Sequence, residues 1–304
     1  MSDLFEQPRY VPKNKSVIAI IREFEKEYLE IFELAKTKWN HSIREFHRDA
    51  TGLKLSRGLG QGRATNITIR FLPDCDNDFI RLIDEHFPDL DFLEYTKTRA
   101  LYSALNESSD YFINDPVGKF HFVLKGHCYK YLEKYNLKKL QKVLFFEPGR
   151  SKDIFGAYYY KDSRIELYYI PLIIFSQINQ IDLEYLIVVI LAHELAHAYH
   201  HVGFDTDGVY WSKMADVDIG IKEGLAQYYT ALYVDEQKNI YPGIEEAYRQ
   251  LLDFQSGPYL VHESWLKSFK KEHVKHAFNV TRRNGNLDYD EFVNILKRAK
   301  DQLK

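Results

Sequence analysis

The sequence predicts an α+β protein. A mainly helical lobe covers residues 1–140, and a second lobe over 141–304 carries a small mixed sheet and one strongly apolar helix. Three observations predict this. Apolar residues recur at three- and four-residue intervals through much of the first 140 positions, the spacing of a helix with one buried face. Short segments rich in aromatic and β-branched residues, separated by turn residues, cluster after residue 141. The run "LIVVILAHELAHAYHH" (186–201) then follows, too apolar at its start to be a surface helix.

Residues 17–48 place Ile21, Phe24, Tyr28, Ile31, Phe32 and Leu34 at helical intervals, which predicts a long amphipathic helix. "KLSRGLGQGRAT" (54–65) reads as a glycine-rich basic loop. It lacks the lysine and the spacing of a phosphate-binding loop, and it precedes a strand rather than a helix. "NITIRFL" (66–72) alternates as a strand does. "NDFIRLIDEHF" and "LDFLEYTKTRALYSALN" read as helices divided near Pro88, and 120–136 as another helix. "QKVLFFEP" (141–148) reads as a strand ending in a Pro148-Gly149 turn, and "IFGAYYYKDSRIELYYI" (154–170) as two strands joined at "KDSR". Asp182 stands where an N-cap belongs for the helix that follows, with an incomplete capping box because Tyr185 sits three residues on. "IGIKEGLAQYYTALYVDEQ", "GIEEAYRQLLDF" and "YLVHESWLKSFKKEHVKHAF" read as further helices. The last, "DYDEFVNILKRAKDQLK", has Asp288 or Asp290 as its cap and a basic end that suits the helix dipole.

Composition narrows the function classes. The formal net charge of −3 in 304 residues gives no global field for nucleic acid or membrane. Two cysteines, Cys75 and Cys128, cannot form a disulfide framework, which favours a reducing compartment. The N-terminus has no apolar signal-peptide core, and "YYIPLIIF" and "LIVVILA" are too short to span a bilayer. We therefore expect a soluble cytoplasmic protein.

"HELAH" (193–197) carries the chemistry. His193 and His197 are four apart, about 400° around a helix, so both imidazoles leave one face and can share a metal. Glu194 points beside the metal, where a carboxylate can take a proton from activated water. Three fixed letters also recur by chance, and the plain reading is a pair of hydrogen-bonded histidines. Against that stand the preceding strand-turn-strand, the apolar helix and a choice of third ligand. The metzincin spacing fails, because its final histidine position is Gly203. The remaining candidates are an aspartate among Asp205, Asp207, Asp216 and Asp218, or Glu223 on the next helix.

"HELAH" followed by a helix opening "KEGLAQYY" resembles the gluzincins, zinc metallopeptidases whose third ligand is a glutamate on the following helix. Glu223-Gly224-Leu225-Ala226 is similar to the "NEGFA" of the aminopeptidases among them. The resemblance covers roughly residues 155–265. It implies that 141–304 forms a zincin-like lobe, that His193, His197 and Glu223 bind Zn2+, that Glu194 is the general base, and that the substrate is a peptide or protein. Gly224 and Ala226 would let the two helices come close enough to share the ion. Lys222 stands where those aminopeptidases have asparagine. Gln227 stands where some gluzincins have an aspartate, and its amide oxygen could accept from a ligand imidazole. Tyr259 and His262 are the candidates for stabilising an oxyanion, with packing as the plain alternative for Tyr259. The strand "RIELYYI" (164–170) would offer an edge to an extended peptide. His200 and His201 read as a polar helix end. The rival function is a zinc-bearing regulatory or protein-interaction module with little turnover. Cys75 in "FLPDCDND" reads as a structural cysteine, and "NGNLDYDEF" fails as a calcium loop because Val280 falls at its first ligand position.

Overall fold

The computed structural model describes residues 15–55, 67–74, 78–86, 92–107, 116–135 and 154–303. The expected strand at 141–148, its Pro148-Gly149 turn, most of the 54–65 loop and Cys75 lie outside these residues. The described chain is mostly helical with one three-stranded sheet, an α+β arrangement. Its elements are α1 (Lys15–Thr51), β1 (Thr68–Leu72), α2 (Asp78–His86), α3 (Phe92–Glu107), α4 (Pro116–Lys134), β2 (Gly156–Tyr159), β3 (Arg164–Tyr168), α5 (Tyr169–Asn179), α6 (Leu183–Val202), α7 (Ile219–Gln237), α8 (Pro242–Leu252), α9 (His262–Ser268), α10 (Lys271–Asn284) and α11 (Tyr289–Gln302). Short 3-10 turns occupy Ser212–Asp216 and Gly257–Tyr259. Among the described residues, no helix is long and apolar enough to cross a membrane.

The chain groups into two compact units. One comprises Met1–Leu29, Pro73–Ile154 and Tyr168–Gln180; the other comprises Glu30–Leu72, Phe155–Leu167 and Ile181–Lys304. In the first, α3 packs along α4. Arg99 donates from Nη1 to the Gln177 carbonyl at 3.0 Å. Leu172, Ile173, Ile174 and Phe175 of α5 are wholly buried. The second hairpin strand, expected through Ile170, ends at Tyr168, and α5 starts at once. Pro171 falls in the first helical turn, where a missing N–H leaves no helix bond unmade. Cys128 is a buried free thiol.

The second unit holds the sheet, in the order β1-β3-β2, with β2 antiparallel to β3 and Ala157 opposite Glu166. β3 is therefore the central strand, which removes the expected free edge at 164–170: both of its sides are already paired. Among the described residues, the outer positions belong to β1 and β2. The later half of α1 buries Phe32, Ala35, Trp39, Ile43 and Phe46, whereas Leu34, counted in the apolar stripe from sequence, is 61% exposed. Leu34 lies about 200° around the helix from Phe32, which turns it to water.

The core behind the later helices joins Ala196 and Tyr199 of α6, Ile221 and Leu225 of α7, Trp265 of α9, Phe278 of α10 and Phe292 of α11. The stretch 259–278 forms two helices, broken at Phe269 and Lys270, which are both extended. Asp288 caps α11 in a full capping box with Glu291, so "NLDYDE" is a helix start.

Candidate metal centre

α6 is fixed at both ends before it presents any chemistry. The Asp182 carboxylate accepts from the Glu184 N–H at 2.8 Å, supplying the expected cap. Glu184 in turn accepts from Lys38 Nζ at 2.7 Å and Trp39 Nε1 at 2.6 Å. At the far end the Tyr199 hydroxyl donates to the Arg44 carbonyl at 2.8 Å. α7 begins with Asp218, whose side chain accepts from the Gly220 N–H at 2.7 Å.

These two helices bring His193, His197 and Glu223 together, all largely buried. His193 Nε2 lies 3.2 Å from His197 Nε2 and 3.2 Å from Glu223 Oε2, and His197 Nε2 lies 3.3 Å from the same oxygen. The three atoms form a near-equilateral triangle. A tetrahedral ion with bonds of about 2.0–2.1 Å needs ligand atoms about 3.3–3.4 Å apart, so the triangle has the spacing at which the three could hold one metal ion. Burial pushes the Glu223 carboxyl upward, but the imidazoles of His197 and His193 outweigh it and hold the group well below the usual carboxylate range. Burial and the neighbouring His197 lower His193 against the opposing pull of Glu223. A neutral imidazole beside an ionised carboxylate is the protonation state in which such groups bind metal.

Glu194, the next residue on α6, is 6% exposed. The ring of Tyr259 lies 6.1 Å from that of His193, centroid to centroid, with the planes 31° apart. His262 is buried, and both of its ring nitrogens are engaged. Nδ1 stands 2.8 Å from the Tyr259 carbonyl oxygen and Nε2 stands 2.8 Å from the Tyr248 hydroxyl.

The aspartate candidates do not join the cluster among the described residues. Asp205 pairs with the buried Arg282, Nη1 to Oδ1 at 2.5 Å, and accepts from Trp211 Nε1 at 2.9 Å. Asp218 is the α7 cap, Asp207 accepts from the Val209 N–H at 3.4 Å, and Asp216 is exposed at the end of its 3-10 turn. Gln227 does not meet a ligand imidazole; its amide donates to Gln255 Oε1 at 2.8 Å.

Gly224 has a different task from the one expected. A β-carbon there would stand 2.5 Å from Trp265 Cη2 and from Val261 Cγ2, so the missing side chain admits α9 and the residue before it beside Glu223. His200 is not a polar helix end. It is wholly buried, its ring 5.4 Å from Tyr229 and 4.7 Å from Phe278. Seven residues from His193, it returns to nearly the same face two turns on. His201 is partly buried, its ring 5.7 Å from Tyr158 and 6.2 Å from His197.

Two neighbours of the site escaped the sequence reading. His47 Nε2 reaches the Ala192 carbonyl at 2.9 Å, and Tyr248 holds His262. For His47 the one available signal was a histidine four residues after Ile43, on the buried stripe of α1. Tyr248 had no signal of its own among 23 tyrosines. The chain matches no family model, no curated protein and no solved structure.

Proposed function

We propose that this chain is a zinc-dependent peptide hydrolase of gluzincin type, and that its second unit serves as a zincin-like lobe. The triangle of His193 Nε2, His197 Nε2 and Glu223 Oε2 carries the reading, because its edges suit one tetrahedral ion and its donors suit zinc. Those three residues would hold the ion, leaving one position of a tetrahedron for solvent or substrate. Zinc bound there would supply Lewis acidity, lowering the pKa of a coordinated water and polarising a carbonyl. Glu194 follows His193 directly and would be the carboxylate that takes the water proton and returns it to a leaving amine. A purely structural zinc site has no use for such a base and fills its fourth position with Cys or His, which favours hydrolysis over the regulatory-module reading.

The test is metal content followed by turnover. The purified chain should carry about one zinc per molecule, and Glu223→Ala should lose it. Glu194→Gln should keep the metal while losing cleavage of a peptide library. A metal-free wild-type chain, even after reconstitution, would end the reading. A metal-loaded wild-type chain no more active than Glu194→Gln would leave a zinc-bearing module instead.

A further inference from the structure

A hydrogen-bonded chain of three residues joins α8, through Tyr248, to the segment that follows it. The Tyr259 carbonyl can only accept, so His262 Nδ1 carries the proton at that 2.8 Å contact. Burial lowers His262 to about 4 despite the opposing Tyr259 carbonyl, so the ring is neutral at pH 7 and its Nε2 has no proton. Nε2 is then an acceptor, and the Tyr248 hydroxyl is the donor at 2.8 Å. The directions are therefore fixed: Tyr248 O–H to His262 Nε2, and His262 Nδ1–H to Tyr259 O. His262 is 1% exposed and Tyr248 8% exposed, so the bond between them is shielded from water.

This chain ends on the backbone of the residue whose ring lies beside His193. The turn that carries Tyr259 starts at Gly257, with φ +58°, and closes through the Leu260 N–H to the Gly257 carbonyl at 3.0 Å. On its other side Val261 and Trp265 enter the space left by Gly224, next to Glu223.

We propose that Tyr248 and His262 are positioning residues: together they clamp the Tyr259 carbonyl and so set the Tyr259 ring against the metal centre. His262 then acts through Tyr259 and offers no N–H of its own to a substrate oxyanion. Tyr259 becomes the one of the two expected donors with a side chain facing the site. This rests on the hydrolase reading only for its kinetic consequence; the clamp itself stands on the contacts above.

The first readout is independent of activity. In full-length protein with 15N-labelled histidine, NMR should report His262 as the neutral Nδ1–H tautomer from pH 8 down to about 5, with and without added zinc. An Nε2–H tautomer, or an imidazolium at pH 7, would overturn the clamp. Tyr248→Phe should remove the donor to Nε2 and weaken the nuclear Overhauser contact between the Tyr259 and His193 rings; an unchanged contact would overturn the positioning role. With zinc bound and a peptide substrate found, Tyr248→Phe should lower kcat about tenfold to a hundredfold with little change in KM, the range expected for misplacement of an active-site group. The same change made in a Tyr259→Phe background should cost nothing more, and an additive loss would contradict action through Tyr259. If the NMR signatures hold while wild type and Glu194→Gln are equally inert, the clamp survives and the hydrolase reading fails.

Discussion

His47 Nε2 stands 2.9 Å from the carbonyl oxygen of Ala192, the residue immediately before His193. A carbonyl only accepts, so His47 is the donor. Its other nitrogen is then a buried acceptor that meets no donor among the described residues. Together with Trp39 to Glu184 and Tyr199 to Arg44, this bond ties α1 to α6 at three heights along the helix that carries "HELAH". The stretch Glu30–Leu72 is thus part of the unit that holds the cluster. Replacing His47 by Ala should cost about 1–3 kcal/mol of stability through the lost bond and the cavity. On the proposed function, zinc affinity should weaken as well, since α6 loses its anchor one residue from His193. Urea unfolding of the metal-free protein and chelator competition measure the two effects separately. Unchanged zinc affinity would restrict His47 to packing.

The same burial predicts the response to acid. His47 is pushed down to about 3 and His262 to about 4, in both cases chiefly by burial. Unfolded histidine titrates near 6.5, so between these values the unfolded chain binds more protons than the folded one. The stability these two groups allow is therefore complete above about pH 6.5 and declines as pH falls, by about 1.4 kcal/mol per pH unit for each group within its window. Urea midpoints of the metal-free protein from pH 8 to 5 should fall below pH 6.5, and His47→Leu should flatten the slope. A midpoint independent of pH would contradict the buried neutral state.

Asp205 tests the choice of third ligand. Arg282 is 1% exposed and donates to Asp205 Oδ1 and to the Gly203 carbonyl, both at 2.5 Å. Asp205→Ala would leave that guanidinium buried with only a carbonyl, at a cost of about 3–5 kcal/mol. Metal stoichiometry should not change. Loss of zinc from the folded variant would return Asp205 to the ligand set.

Gly224 tests how tightly the neighbourhood of Glu223 is packed. Gly224→Ala drives a methyl into Trp265 and Val261, and overpacking of this kind costs about 1–3 kcal/mol. Displacing α9 should also move Tyr259, so on the proposed function the variant should lose turnover beyond what its zinc content explains. Calorimetry with parallel metal analysis would show it.

Much of this arrangement is legible in the sequence because local rules decide it. The caps at Asp182 and Asp288 follow from short side chains that reach back to the helix N–H groups. The spacing of His193 and His197 places them on one face whatever surrounds them. Asp218 caps α7 with the same carboxylate that a metal would use, so the residue type alone does not separate the two tasks. Other features depend on distant partners and leave no local mark. The neighbour of Gly224 lies some 40 positions on, and the partner of His47 lies 145 residues away. The central place of β3 depends on β1, nearly 100 residues upstream. The break at Phe269 interrupts a run with a continuous helical pattern, and "YYIPLIIF" is apolar on every side, so periodicity says little about either.

The fit of Trp265 against Gly224 gives the molecule an optical gauge of its own. The chain has three tryptophans, and this indole is 1% exposed, stacked on Tyr289 at 6.3 Å, with its outer ring edge beside the residue that follows Glu223. Its emission therefore senses the seating of α9 without any attached dye. With Trp39 and Trp211 changed to phenylalanine, a zinc titration followed by fluorescence would read, from inside the fold, how far the ion's arrival at Glu223 is felt by the helix that carries His262.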